Sequence, residues 1–292
     1  MLERVYFDYN ATAPALPEVV QSVSKALSIS ANSSSIHSYG RRARSQIDDA
    51  RESIAELVGA APSEIVFTSG GTESNNLAIR GVDATMVLAS AVEHVSILSG
   101  GDNVIQVSVD SNGIVEIDAL RDFLAQAPKS TLVTVMYVNN ETGVIQPMDE
   151  IAAMAESANI ALHSDMVQIF GKRHINFAAS KISYASLSAH KIGGPSGVGA
   201  LLVRPGCRLS SLIRGGGQEH GRRAGTENLV GIAGFGGAAN DALGDIGHYQ
   251  KMAKLRDDFE SRMLDQRSGV AVFGRDAPRL GNTSCIAAEG KG

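Results

Sequence analysis

The sequence predicts an α/β fold in which a mainly parallel sheet is covered by helices on both sides. Short apolar stretches that are typical of buried strands alternate with amphipathic helical patterns along most of the chain. Strands separated by helices usually pair in parallel and are buried on both faces. The chain has 292 residues, of which 43% are hydrophobic and 20% are charged, and this is enough for one large domain and a smaller one.

Individual elements follow from the spacing of apolar residues. One helix has apolar residues at three- and four-residue steps between Ala43 and Val58 and should end near Gly59. A second helix is predicted over residues 151–158. Strands are predicted over residues 65–67, 86–88, 104–109, 131–138, 160–162, 182–187 and 200–203.

The balance of charged and apolar residues also suggests a domain division. Charged residues become more frequent from about Asn240 onward. We therefore predict a large domain over residues 15–245 and a small domain over residues 246–292, which the N-terminal segment 1–14 joins.

Composition argues against several classes of function. The net charge of −5 does not favour a nucleic-acid-binding surface, and neither nucleotide-binding glycine motif, GxxxxGK[ST] or GxGxxG after a strand, is present. The apolar runs are too short to span a bilayer, and residues 1–5 do not resemble a signal peptide. The two cysteines, Cys207 and Cys285, lack metal-ligand spacing. We expect a cytoplasmic protein that binds no metal, membrane or nucleic acid.

The most informative pair of residues is Lys191 and Asp165. Each follows a predicted strand, and ligands gather beyond the carboxyl ends of parallel strands. An amine and a carboxylate are the two groups that pyridoxal phosphate needs, one to form a Schiff base and one to keep the pyridine nitrogen protonated. Taken singly, a surface lysine and a structural acid are the commoner interpretation.

Other polar residues follow the same strands. Gly71 and Thr72 could open a helix whose N-terminus binds phosphate, or they could form an ordinary turn with Thr72 as the cap. His94 could stack on a flat ring or be a structural histidine, and Asn140 could donate to a phenolic oxygen or be a turn residue. Gln168 would share a face with Asp165 if a helical turn begins there.

A second glycine-rich segment covers residues 214–228 and contains three arginines. Such a segment could bind a phosphate or a substrate carboxylate. The alternative is a flexible, solvated basic loop.

Seven motifs occur together in one order, at residues 7–14, 32–37, 68–76, 138–144, 163–168, 188–194 and 215–228. In this order they resemble the cysteine desulfurases of the NifS/IscS group, which are pyridoxal-phosphate enzymes among the class-V aminotransferase-like proteins. The resemblance covers nearly the whole chain. It implies fold type I of the pyridoxal-phosphate-dependent transferases, with a small α/β domain that is incomplete.

The resemblance also implies a role for each matching residue. Lys191 would carry the cofactor and later move a proton at the substrate α-carbon, and His94 would stack on the ring. Asp165 would pair with the pyridinium nitrogen and Gln168 with the phenolic oxygen. The remaining cofactor-binding and substrate-binding residues would be Gly71, Thr72, Ser188, His190, Asn140 and Asn32, with Thr226 contributed to the phosphate by the partner subunit of a homodimer.

The implied reaction converts L-cysteine to L-alanine and leaves the sulfur on the enzyme as a persulfide, for an acceptor such as an iron–sulfur scaffold protein or a thiolation pathway. In the family, the nucleophilic cysteine lies more than a hundred residues beyond the lysine and a substrate-binding arginine follows it. Gly292 is 101 residues beyond Lys191. We therefore expect both groups to be absent from this sequence, and either remaining cysteine to be inert, Cys207 being the less implausible substitute.

Two explanations for this difference stay open. The chain is either a fragment of an ordinary desulfurase or a naturally shortened homologue, and we favour the fragment. Other functions also fit part of the pattern. Another class-V reaction, such as that of an aminotransferase, a selenocysteine lyase or an epimerase, needs the lysine and the aspartate without the thiol. A catalytically silent dimeric binding protein would need neither.

Overall fold

A seven-stranded sheet forms the centre of the computed structural model, which describes residues 4–29 and 31–290. Its strands are β1 (Ile65–Thr68), β2 (Met86–Ser90), β3 (Val104–Val107), β4 (Thr131–Thr134), β5 (Ala161–Asp165), β6 (Tyr184–Ser188) and β7 (Gly199–Val203). In space their order is β1-β7-β6-β5-β4-β2-β3. Strands β3, β2, β4, β5 and β6 pair in parallel, and β7 runs antiparallel to both its neighbours. The prediction of a mainly parallel sheet is confirmed.

Helices cover both faces of this sheet. They are α1 (Pro17–Leu27), α2 (Ser38–Val58), α3 (Gly71–Gly81), α4 (Val95–Leu98), α5 (Ile117–Gln126), α6 (Met148–Ser157) and α7 (Leu229–Gln266). The larger apolar core packs α2, α5, α6 and α7 on one face, and a smaller core packs α3 and α4 on the other. Neighbouring strand residues supply both cores, because side chains alternate between the faces of a sheet: Ile65 and Phe67 enter the larger core and Val66 the smaller one.

The predicted end of helix α2 is confirmed by its cap. Gly59 follows the last turn with a φ of 63°, in the left-handed region that favours glycine, and its amide donates to the carbonyl oxygen of Ala55. The buried face of α2 includes Ile47 and Ile54, and it packs against the first half of α7.

A two-stranded antiparallel sheet follows α7, formed by β8 (Val270–Val272) and β9 (Ile286–Ala288). Helix α7 runs without a break from the large sheet to this hairpin, and the predicted domain boundary at 245/246 lies inside it. The division into two domains therefore stays a prediction. The chain between β8 and β9 returns to the large sheet, because the amide of Leu280 donates to the carbonyl oxygen of Gly143 over 2.9 Å.

Three findings concern features that the described residues lack. None of the described helices has the length and apolar character that a membrane crossing requires. In residues 4–29 and 31–290, no three side chains from histidine, cysteine, aspartate or glutamate come together as a potential metal site. Cys207 and Cys285 are not bonded to each other.

Candidate active site

A cavity of about 540 Å³ opens where β5 and β6 end and α3 begins. Most of the residues predicted for the site line this cavity: Gly71, Thr72, His94, Asn140, Asp165, Gln168, Ser188, His190 and Lys191. Asn32 and Thr226 do not line it, and both are exposed on the surface. The strand ends therefore bring together residues that are up to 120 positions apart in the sequence, between Gly71 and Lys191.

Asp165 is the last residue of β5 and is buried, with an exposed fraction of 7%. Its carboxylate accepts hydrogen bonds from Asn75 Nδ2 at 2.8 Å and from the amide of Val167 at 2.9 Å. Burial raises the pKa of Asp165, while these two hydrogen bonds and the charges of His94 and Lys191 lower it. A buried carboxylate that faces a cavity is well placed to stabilise a protonated nitrogen in a ligand.

A chain of hydrogen bonds connects Asp165 to His94 through two residues that the sequence did not single out. Asn75 Nδ2 also donates to Ser96 Oγ at 2.9 Å, and Ser96 Oγ lies 2.7 Å from His94 Nδ1. Asn75 is fully buried on α3, and its Oδ1 atom has no hydrogen-bond partner among the described residues. The sequence signal for Asn75 is its position, three residues beyond Thr72, which places it near the same face of the helix.

Lys191 lies in the short 3-10 turn that follows β6. Its Nζ donates to the backbone carbonyl oxygens of Asn10 and Ala11, the second at 2.9 Å. Burial lowers the pKa of the Lys191 ammonium, against the charges of Asp165, Asp8 and Glu141, which raise it. Burial therefore increases the fraction of neutral amine, which is the nucleophilic form.

One end of the cavity is suited to an anion. Helix α3 is 11 residues long and begins at Gly71, so its free amides and positive dipole end lie beside Thr72, Ser188 and His190. A Cβ atom at Gly71 would lie 3.0 Å from Val167 Cγ2. Glycine at this position therefore keeps the floor of the cavity open.

The N-terminal segment closes one side of the site. Asn10 Nδ2 donates to the carbonyl oxygen of Asn140 at 3.1 Å and to Thr283 Oγ1 at 2.9 Å. The carbonyl oxygen of Asn10 accepts hydrogen bonds from Lys191 and from Gln168 Nε2. Sequence reasoning placed residues 7–14 in a motif but gave Asn10 no role, because its partners come from distant parts of the chain.

The glycine-rich segment 214–228 is held to helices α2 and α3 by two ion pairs. Arg51 and Glu219, each 4% exposed, form a bidentate pair with distances of 2.7 and 3.0 Å. Arg223 pairs with Glu73 at 2.9 Å. The segment is therefore not the flexible, freely solvated loop that was one of the two interpretations of its sequence.

Comparison with known proteins agrees with this geometry. Residues 5–291 match the family described as aminotransferase class-V. The chain belongs to the class-V aminotransferase family. Among curated members, a cysteine desulfurase from Cereibacter sphaeroides is 42% identical over 98% of this chain and 77% of its own length. The cysteine desulfurase IscS from Dictyoglomus turgidum is 39% identical over 97% of this chain and 75% of its own length.

Solved class-V structures have the same fold. A NifS-like protein from Rickettsia africae superimposes with a TM-score of 0.94 at 36% identity, over 99% of this chain and 82% of that one. The structure of SspA in complex with cysteine has a TM-score of 0.81 at 34% identity, over 94% of this chain and 81% of that one. The resemblance to the NifS/IscS group and the expected fold type I are thus confirmed.

Glu93 lies close to the candidate active site and is expected to make the stability of the protein depend on pH. Glu93 Oε1 accepts hydrogen bonds from Ser90 Oγ at 2.8 Å and from the amide of Met136 at 2.5 Å, while Oε2 has no partner within residues 4–29 and 31–290. Burial, helped by the charge of Asp165, raises the pKa of Glu93 to about 8, although the hydrogen bonds from Met136 and Ser90 lower it. At neutral pH this carboxyl group is therefore largely protonated in the folded protein.

The effect of Glu93→Gln on the free energy of unfolding, relative to the parent chain, is expected to be more favourable at pH 8 than at pH 5. Between the ordinary carboxyl pKa of 4.5 and about 8, folded Glu93 keeps a proton that the unfolded chain releases, so its contribution to stability falls as the pH rises. The fall has an upper limit of about 1.4 kcal/mol per pH unit, and glutamine abolishes it. Denaturant unfolding at both pH values measures the effect. Glu52→Gln, at an exposed position, is the control, and an identical pH dependence in both variants would contradict the prediction.

Proposed function

We propose that this chain holds pyridoxal 5′-phosphate in the 540 Å³ cavity and acts on L-cysteine, as a cysteine desulfurase does. The products would be L-alanine and a sulfur atom that is transferred to a thiol as a persulfide. The observation that carries the proposal is the arrangement of Asp165 and Lys191. The buried carboxylate of Asp165 and the partly buried amine of Lys191 lie at the ends of two neighbouring parallel strands. Both line one cavity, and the far end of this cavity suits an anion.

The residues present fit the cofactor. A protonated ring nitrogen would give Asp165 the cationic partner that its burial calls for. The start of α3 and the hydroxyl groups of Thr72 and Ser188 would hold the phosphate, and the glycine at position 71 leaves room for it. When bound, pyridoxal phosphate supplies an electron sink for the negative charge that develops at the substrate α-carbon.

Each side chain of the cavity would contribute one task. Lys191 attaches the cofactor and then, as a free amine, moves the proton at the substrate α-carbon. Asp165 holds the proton on the ring nitrogen, and the contact with Asn75 keeps its carboxylate in place. His94 covers a face of the ring, and Gln168 donates to the phenolic oxygen. Asn140, beside the N-terminal segment, would bind the cofactor or substrate. Asn32 lies outside the cavity of its own subunit, and its role in substrate binding stays a prediction.

We also propose a homodimer in which Thr226 of the partner subunit completes the phosphate site. Thr226 is exposed and lies outside the cavity of its own subunit, as this arrangement requires. Large apolar side chains are exposed on the segment that surrounds Asn32, with Leu27 at 67%, Ile36 at 91% and Tyr39 at 67%. Such a surface is typical of an interface.

The persulfide is assigned to neither cysteine of this chain. Neither Cys207 nor Cys285 lines the cavity, and burial together with the charge of Glu141 raises the pKa of the Cys285 thiol. A thiol of high pKa is a poor nucleophile because little of it is ionised. The sulfur would pass to another thiol, such as that of an acceptor protein that serves iron–sulfur cluster assembly. The two unpaired cysteines also support a cytoplasmic location.

A second candidate function is another class-V reaction, that of an aminotransferase or a selenocysteine lyase. The observation that favours it is the same lack of a cysteine among the residues that line the cavity. These reactions need the amine and the carboxylate but no enzyme thiol.

One experiment separates these functions. The chain is loaded with pyridoxal phosphate and incubated with L-cysteine and dithiothreitol, which can accept the sulfur, and alanine and sulfide are then measured. Equal amounts of the two products are expected. Selenide from L-selenocysteine with no sulfide from L-cysteine would favour the lyase, and exchange between L-alanine and a keto acid would favour the aminotransferase. Binding of the cofactor without turnover of any of these would contradict an enzymatic function.

A further inference from the structure

Lys172 is a buried cation beside the site that the proposed chemistry does not use. Lys172 is 3% exposed, and its Nζ donates to Gln168 Oε1 at 3.0 Å and to Asn10 Oδ1 at 3.3 Å. Within the described residues, Lys172 forms no ion pair with a carboxylate. Its position is between the cavity and a second groove of about 940 Å³. The charged and titratable groups that line this groove with Lys172 are Tyr6, Asp8, Tyr9, Glu141, Lys191, Tyr249 and Arg256.

A buried ammonium group without a counter-ion is costly. Burial, followed by the charge of Lys191, lowers the pKa of Lys172 to about 7. An apolar side chain of similar length would fill the same space without this cost. The polar contacts of Lys172 therefore point to a task other than packing.

Lys172 determines which end of the Gln168 amide faces the cavity. Below its pKa of about 7, the Lys172 side chain is charged and only donates hydrogen bonds, so the amide oxygen of Gln168 turns toward it. The amide nitrogen then lies on the other side, where Nε2 donates one hydrogen to the carbonyl oxygen of Asn10 at 3.1 Å. Its second hydrogen stays available at the wall of the cavity that Gln168 lines. A reversed amide would place N–H groups against the ammonium.

The same ammonium also orients Asn10. The Oδ1 atom of Asn10 accepts from Lys172 and from Asn282 Nδ2 at 3.0 Å. Its Nδ2 atom is therefore directed to Asn140 and Thr283. The ammonium of Lys172 thus fixes the orientation of two side-chain amides, those of Gln168 and Asn10.

We propose that Lys172 is a positioning residue that fixes Gln168 as a hydrogen-bond donor toward an anionic oxygen of the bound ligand. The proposal rests on the proposed function, in which that oxygen is the phenolic oxygen of pyridoxal phosphate. Lys172 does not touch the ligand, and its whole effect is transmitted through the amide of Gln168.

A double-mutant cycle tests this transmission. Pyridoxal 5′-phosphate is titrated into the full chain and into Lys172→Met, Gln168→Ala and the double variant, and the dissociation constant and the pH midpoint of the bound cofactor's visible absorption are measured. Lys172→Met and Gln168→Ala are each expected to weaken binding about tenfold, the loss for one hydrogen bond to a charged group, and to shift the midpoint in the same direction. The double variant should resemble Gln168→Ala alone.

Two results would overturn the proposal. The first is an effect of Lys172→Met that is equally large in the Gln168→Ala background, because Lys172 would then act through its charge on Lys191. The second is an unchanged dissociation constant and midpoint in Lys172→Met itself. If the parent chain bound no cofactor, the proposed function would fail together with this inference, whereas binding with an additive cycle would remove this inference alone.

Two further variants keep the test decisive. Lys172→Arg retains N–H donors without any acceptor and is expected to recover most of the affinity, which a purely structural role would not require. Lys172→Gln replaces the methionine variant if that variant does not fold. Its amide can present either end to Gln168, so an intermediate loss of affinity is expected, and affinity equal to that of the parent chain would count against the proposal.

Discussion

The substitution Lys191→Ala is expected to abolish covalent attachment of pyridoxal phosphate and to reduce turnover of L-cysteine at least about a thousandfold, since one amine serves as both nucleophile and base. Lys191 lies at the end of β6, in the cavity with Asp165. The intact mass of the chain after borohydride reduction is the direct measurement. The parent chain should gain the mass of one reduced cofactor, and the variant should gain none.

A matched lysine is available as the control. Lys181 precedes β6, whereas Lys191 follows it, and Lys181 is exposed and forms an ion pair with Glu156. Lys181→Ala should keep both the mass increment and the activity. An increment that survives in Lys191→Ala would mean that another lysine carries the cofactor, and Lys172, which is also buried beside Asn10, would be the first to examine by peptide mapping.

The substitution Glu219→Ala is expected to reduce the free energy of unfolding by about 3–5 kcal/mol, the range for removing one partner of a buried ion pair. Glu219 accepts two hydrogen bonds from Arg51 and one from the amide of Phe67, at 2.9 Å. Without the carboxylate, the guanidinium of Arg51 would stay buried against the ring of Phe67 with no counter-ion. Denaturant unfolding followed by circular dichroism measures the loss.

Two comparisons isolate the effect of burial. Asp48→Ala breaks an exposed ion pair with Arg44 on the same helix α2 as Arg51, and it should cost less than about 1 kcal/mol. The double variant Arg51→Met/Glu219→Ala removes the stranded charge and should recover part of the stability. Equal losses for Glu219→Ala and Asp48→Ala would show that the buried pair contributes no more than a surface pair.

The part of the site that the sequence predicted is the part that parallel strands position. Asp165 ends β5 and Lys191 follows β6, and neighbouring parallel strands end at the same edge of the sheet. The residues that the sequence did not predict make contacts with residues that are far away in the sequence. Asn10 meets Asn140 over a sequence separation of 130 residues, and a single sequence carries no signal for such a contact. Residue types alone also could not show that Asn75 bridges Asp165 and Ser96.

Two features of the fold were also beyond the sequence pattern. Strand β7 is antiparallel because only residues 189–198 separate it from β6, too few for the helical crossover of a parallel pair. The first half of α7 is rich in glycine, which ordinarily disfavours a helix interior. A Cβ atom at Gly236 would lie 2.6 Å from Ala50 Cα, so the glycines allow α7 and α2 to approach closely.

The continuous helix α7 connects its contact with α2 to the segment that reaches Asn10. At 1.5 Å per residue, its 38 residues form a rod of about 57 Å, with one end packed on α2 and the other in contact with β8. A pivot of about one degree at the α2 end therefore displaces the far end by about 1 Å over this length. Asn282 and Thr283, which follow this end of α7 in the chain, contact Asn10. A larger side chain at Gly236, where α7 contacts α2 closely, is therefore expected to shift the segment that contacts Asn10.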